Sequence, residues 1–257
     1  MIKIKNCTGG YGKNILWKHL DLEINRGDLV AIAGANGTGK TTLLNYMSGL
    51  AAPLDGEIIF RGNKIRDLSL EELATSRSFL SQQTPDSIPF NCRNILEMGL
   101  MAGNRGHLNT SEKDQKITRI CEELQISELC NKHFNCLSGG EKRKILFGRA
   151  LLQSTQLIFM DEPAAFLDPG QTLFFYDKLR QLHLQNNSTM IVITHNLDMI
   201  INYFPKVVLL GKNGIIDSGD PQKVLIRSGE TAFGLKIHIG TYQNQKRTWC
   251  KIARPHA

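Results

Sequence analysis

Apolar and polar positions along the chain change period several times, and each change marks an element. Ile2 and Ile4 alternate with Lys3 and Lys5, and Leu20, Leu22 and Ile24 repeat at the two-residue period of half-buried strands. The turn residues Asn25-Arg26-Gly27-Asp28 follow, then the unbroken apolar run Leu29 to Ala33, which predicts a strand buried on both faces. From Lys40 the period becomes helical through Leu43, Leu44 and Met47, and Gly49 supplies a stop. Ser69-Leu70-Glu71-Glu72 has the form of a capping box opening a short helix that runs on to Ala74, with Leu80-Ser81-Gln82 beyond it. Between about residues 86 and 152, helical stretches such as Asn94 to Met101 and Ser111 to Leu124 replace the strands. The strand and helix rhythm then returns: strand-like runs at Leu157 to Met160 and Met190 to Thr194 flank a helical Thr172 to Leu184. Val207 to Leu210 and Gly214 to Ser218 predict the closing strands, and no clear period extends beyond Gly240. The expected fold is α/β, with an N-terminal β portion and an inserted helical subdomain.

Composition narrows the functional classes. With 257 residues and 41% hydrophobic content the chain can bury a sizeable core, and no internal repeat or low-complexity linker divides it. Its longest apolar runs fall far short of the roughly 20 residues a membrane-spanning helix needs. The N-terminus lacks the apolar core and cleavage site of a signal peptide, so a cytosolic location is expected. Six cysteines stand without a CxxC pair or zinc spacing and read as reduced thiols. The net charge of +7 is spread along the chain, which argues against a nucleic-acid partner.

Three segments carry chemistry. Gly34-Ala35-Asn36-Gly37-Thr38-Gly39-Lys40-Thr41 fits the phosphate-binding pattern of a P-loop (Walker A), in its strand, loop and helix context. Glycines let successive N–H groups converge on one anion, and the following helix adds the positive end of its dipole. Lys40 is placed to reach the β- and γ-phosphates, and the Thr41 hydroxyl to bind Mg²⁺. The second segment, Leu157 to Glu162, is an apolar strand ending in two carboxylates. Taken alone it reads as an ordinary strand terminus; beside the phosphate loop it reads as Asp161 for Mg²⁺ and Glu162 for the attacking water. The third, Leu137-Ser138-Gly139-Gly140-Glu141, is a serine and two glycines opening a helix, which is again a phosphate site.

That pentapeptide resembles the signature motif of ABC ATPases, and further family motifs occur in order over roughly residues 1 to 230. The resemblance implies a P-loop NTPase core with a mixed sheet, an antiparallel N-terminal portion and a helical insert. It also implies an ATPase that works as a homodimer. ATP and Mg²⁺ would be bound by Tyr11 on adenine and by Gly34, Asn36, Gly37, Thr38, Gly39, Lys40, Thr41 and Thr42 on the phosphates. Ser138, Gly139 and Gly140 would serve the nucleotide of the second copy. Thr41, Gln82 and Asp161 would meet the metal; Glu162, His195, Gln82 and Lys40 would be catalytic. Leu167-Asp168 matches the end of the loop after the acidic strand. Integral membrane permease subunits and a substrate-binding protein are the implied partners, and the cytoplasmic face of the membrane the implied place. The Ser69 to Gln82 stretch is similar to importers of iron chelates, haem or cobalamin; a soluble assembly scaffold, such as one for iron–sulfur clusters, is the alternative.

The chain departs from the family pattern at Ala35, at Ala165 and Phe166, and at Lys144, where arginine is usual and a forked contact would shrink to a point charge. Residues 231–257 are expected to form an extension. Within it Lys246, Arg247, Trp249, Lys251 and Arg254 suggest a solvated basic tail.

Overall fold

The computed structural model describes residues 1–83, 87–102, 108–153, 155–241 and 248–253. The chain forms two compact units, one from Met1–Leu68 with Thr189–Ala257, the other from Ser69–Ser188.

The first unit holds an antiparallel sheet built on β1 (Ile2–Tyr11), which pairs with β2 (Asn14–Ile24) and with β4 (Asp55–Phe60); β5 (Asn63–Lys64) extends it beyond β4. Register sets Ile2 opposite Ile24 and Phe60, and Ile4 opposite Leu22 and Ile58. All six side chains are buried, so the alternation seen at the N-terminus is the inward row of this sheet. A second set of strands carries β3 (Leu29–Ala33) between parallel neighbours β8 (Thr189–Ile193) and β9 (Lys206–Gly211), with β10 (Gly214–Gly219) antiparallel to β9. Every residue of β3 and β8 is buried, which is why both read as continuous apolar runs. Helix α1 (Lys40–Ser48) follows β3 and ends at Gly49 in the left-handed conformation, as its position predicts.

Helices α7 (Leu197–Tyr203) and α8 (Pro221–Phe233) belong to the same unit, followed by β11 (Lys236–Thr241) and β12 (Thr248–Ala253), an antiparallel pair. This corrects the expectation of a solvated tail. The N–H of Thr248 donates to Asn202 Oδ1 at 2.9 Å, Asn202 Nδ2 returns a bond to the Thr248 carbonyl at 2.7 Å, and the Cys250 N–H donates to Asp198 Oδ1 at 2.6 Å. Side chains of α7 thus hold a strand whose own pattern carries no period, and Trp249 and Lys251 lie on it. Lys246, Arg247 and Arg254 fall outside the described residues.

The second unit pairs β6 (Arg77–Leu80) in parallel with β7 (Leu157–Asp161). The capping box is present: Ser69 and Glu72 bond reciprocally at the start of α2 (Leu70–Ser76). Helices α3 (Cys92–Ala102), α4 (Thr110–Glu123), α5 (Gly139–Leu152) and α6 (Pro169–Asn186) supply the rest, covering the predicted helical stretch; residue 86, its expected boundary, is outside the described residues. Phe147 of α5 meets Phe175 of α6 with ring centroids 4.5 Å apart, and Phe175 stands edge-on to Tyr176. These rings are almost fully buried, each contributing roughly 1.5–3 kcal/mol through the apolar area removed from water. Among the described residues no helix is long and apolar enough to cross a membrane.

Candidate functional site

In the first unit, β3 delivers the chain into the glycine loop and α1 carries it away. Gly34 has φ +152°, and a Cβ there would lie 2.1 Å from the Leu210 carbonyl oxygen of β9. Gly39, the residue before the first turn of α1, has φ +88°, and a Cβ would lie 2.8 Å from Nε1 of the buried Trp17. Backbone conformation and close neighbours both demand glycine at these two positions. Asn36 and Gly37 are exposed at the tip, and Thr38 Oγ1 donates to the Ala35 carbonyl at 3.0 Å. Lys40 is buried, and its Nζ donates to the carbonyls of Gly34 and Ala35 at 3.0 and 2.8 Å. The lysine is therefore folded back on its own loop. Thr41 is exposed, while the buried Thr42 shares a 2.7 Å hydrogen bond with the Tyr11 hydroxyl at the end of β1. Tyr11 itself is exposed, its ring open to a ligand. His195 is exposed just after β8, and Asn196 behind it caps α7 by accepting from the Met199 N–H.

In the second unit, Asp161 ends β7 with only 3% of its surface exposed. Glu162 follows with φ +44°, a left-handed conformation unfavourable for a residue with a side chain. Gln82 Nε2 donates to Glu162 Oε2 at 3.0 Å, so the loop after β6 and the turn after β7 are joined through two of the expected site residues. Ser138 caps α5, with Glu141 Oε2 accepting from both its N–H and its hydroxyl at 2.8 Å. Those bonds, the backbone one foremost, hold the Glu141 carboxyl below its ordinary range. Gly139 and Gly140 form the first turn of α5, and a Cβ on Gly140 would press on Gln171 Oε1 at 2.8 Å. Asp168, expected at the end of the loop after the acidic strand, caps α6 by accepting from the Gln171 N–H at 2.8 Å.

One residue was missed by the sequence reading. Arg143 is 1% exposed, and its guanidinium donates to five backbone carbonyls. Nε reaches Pro163 at 2.8 Å, Nη2 reaches Asp161 and Glu162 at 2.8 and 2.9 Å, and Nη1 reaches Ser81 and Gln82. Burial pushes its pKa down to about 10, partly offset by the negative charges of Asp161 and Glu162. Lys144, the position thought to have traded a forked contact for a point charge, instead sets its ammonium 5.7 Å from the centroid of the Phe174 ring. The fork is present one residue earlier. Its signal lay in spacing: residues 143, 147 and 150 share the inward stripe of α5.

The sequence profile described as ABC transporter matches residues 17–165. An uncharacterized ABC transporter ATP-binding protein of Haemophilus influenzae is 30% identical over 226 residues, covering 88% of this chain and 86% of that protein. The hemin import ATP-binding protein HmuV of Escherichia coli O157:H7 is 30% identical over 246 residues, covering 93% of this chain and 94% of that protein. Among solved structures, the ATP-binding cassette MJ0796, determined as a dimer bound to ADP and Pi, superposes with a TM-score of 0.78 at 26% identity, covering 86% of this chain and 99% of that one. With the mixed α/β fold and the glycine loop already in place, these matches decide the family: the chain belongs to the ABC transporters, as an ATP-binding subunit whose hydrolysis of ATP is coupled to transport.

Proposed function

We propose that ATP binds with its adenine on Tyr11 and its phosphates in the Gly34 to Thr42 loop, including Asn36, Gly37, Thr38 and Gly39. The observation that carries this reading is the loop itself, where Gly34 and Gly39 hold positive φ with no room for a Cβ and the Lys40 ammonium is folded onto the Gly34 and Ala35 carbonyls at the start of α1. A Mg²⁺ ion suits the remaining donors, since the Thr41 hydroxyl, the Asp161 carboxylate and the Gln82 carboxamide are all hard oxygen ligands. The nitrogen of Gln82 faces Glu162, so its oxygen is the end a cation would take. The metal would supply charge neutralisation on the phosphates. Glu162 acts as the base that orients and polarises water, and His195 contacts the γ-phosphate. Ser138, Gly139 and Gly140 receive the nucleotide of a second copy, because the start of α5 offers a helix N-terminus to an anion.

Two copies would then close head to tail around ATP and open after hydrolysis, moving permease subunits at the cytoplasmic face of the membrane, with a substrate-binding protein completing the complex. In this proposal residues 1–230 are the ATPase and 231–257 an extension. Import of an iron chelate, haem or cobalamin is supported by the names of relatives, hemin import at 30% identity, cobalamin import at 28% and petrobactin import at 27%. Glu162→Gln keeps size and reach while removing the charge. Sedimentation with MgATP should find it as an ATP-bound dimer, and Ser138→Arg added to it should return monomers that still bind nucleotide. A Glu162→Gln protein that turns over ATP normally, or a double mutant that dimerises, would refute the assignment. ATP-driven uptake of each of the three substrate classes, with the permease in vesicles, tests the transport reading.

A further inference from the structure

Arg143 is a cation enclosed in the second unit, and among the described residues no carboxylate is its direct hydrogen-bond partner. Burying a guanidinium against neutral carbonyls is costly, and an apolar side chain of similar volume could fill the space. What an apolar side chain cannot do is bind five acceptors at once. A guanidinium has five N–H groups in a rigid fork, and here each meets a different carbonyl. The acceptors form two short runs, Ser81 with Gln82 and Asp161 with Glu162 and Pro163. These runs contain both residues of the Gln82–Glu162 hydrogen bond.

A second observation concerns Glu162 alone. Its φ of +44° costs energy in any residue with a Cβ and persists only where the surroundings over-determine it. Arg143 binds the carbonyls before, at and after that residue, pinning the strained turn on both sides. The arginine also sits five residues beyond Ser138 on α5. It thus links the helix that opens at Ser138 to the backbone that aims Glu162.

We propose that Arg143 is a positioning residue for hydrolysis, holding the backbones of Gln82 and Glu162 so that the two side chains meet at one point. The proposal depends on the reading of Gln82 and Glu162 given above. It touches no substrate atom; its effect on turnover passes through those two groups. A small displacement of a catalytic group costs up to about 10²-fold in rate.

The test compares Arg143→Lys and Arg143→Met in the full chain. Arg143→Lys keeps the charge and stem but loses the fork. It should fold with a lowered Tm, since three N–H groups cannot meet five carbonyls, bind a non-hydrolysable ATP analogue within about threefold of wild type at a temperature well below that Tm, and lose about tenfold in kcat there, with Arg143→Met nearer 10²-fold. A double-mutant cycle with Gln82→Ala supplies the readout that a merely structural role would not move. Once Gln82 is truncated, Arg143→Lys should cost clearly less in kcat than it does in the wild type. Wild-type kcat in Arg143→Lys overturns the proposal. So does a loss that tracks the melting temperature and is unchanged by Gln82→Ala. If Arg143→Met does not fold, the lysine variant and its cycle decide alone. Glu162→Gln separates the two levels: full turnover there refutes the underlying site, whereas its inactivity alongside a fully active Arg143→Lys refutes only the positioning role.

Discussion

Replacing Gly39 by alanine isolates the packing that shapes the phosphate loop. Two costs can be read from the structure. A non-glycine residue in the left-handed region costs roughly 1–2 kcal/mol, and Gly39 has φ +88°. The new methyl would also lie 2.8 Å from Trp17 Nε1 and 3.0 Å from Leu16 Cδ1, an overpacking of a kind that costs typically about 1–3 kcal/mol. Together they predict about 2–5 kcal/mol of destabilisation in urea unfolding, with Tm falling by about 2–4 °C for each kcal/mol. Trp17→Leu removes the ring that the methyl meets while leaving the backbone strain untouched. The double mutant should therefore recover the part of the overpacking that Trp17 causes, the Leu16 contact remaining, which gives a coupling of about 1–2 kcal/mol between sites 17 and 39. Additive effects within about 0.5 kcal/mol would refute the claim that Trp17 is what forbids a side chain at position 39.

Two other predictions concern the C-terminal half of the first unit. Asp198→Ala with Asn202→Ala removes three bonds to β12, each worth roughly 0.5–1.5 kcal/mol, so hydrogen exchange at Thr248 and Cys250 should accelerate; unchanged protection would mean that other contacts dock the strand. Asp217 is held by Arg227, Ser228 and the Ser218 N–H, which bring its carboxyl from 3.8 down to about 2. A depressed folded pKa means that this stabilisation is complete above the unfolded value and is lost as the pH falls from about 4 to about 2. Asp217→Asn should flatten the acid limb of the stability profile in that window, and an unaltered profile would refute the linkage.

Elements whose signal is local were legible in the sequence. The unbroken runs of β3 and β8, the stop at Gly49 and the reciprocal cap at Ser69 all depend on a few neighbouring residues. The glycine loop was readable because its spacing is itself the physical requirement. What escaped the reading depends on distant partners. Lys142-Arg143-Lys144 looks like a solvated basic run, and only the carbonyls of residues about 20 and 60 positions away turn its middle member inward. Strand β12 likewise shows no pattern of its own; besides pairing with β11 it is held by the side chains of Asp198 and Asn202, about 50 positions away. The left-handed turn at Glu162 carries no glycine to announce it.

The chain has two tryptophans, and one of them lies beneath the phosphate loop with an indole N–H that finds no hydrogen-bond partner among the described residues. An indole buried in that way emits at short wavelength, and its excited-state dipole responds to nearby charge. If ATP takes the Gly34 to Thr42 loop as proposed, its triphosphate brings several negative charges close to that dipole. With Trp249 replaced by phenylalanine, the remaining emission belongs to Trp17 alone. On the proposed site the loop would carry its own optical gauge of nucleotide occupancy, one that needs no label and reads the site before any bond is broken.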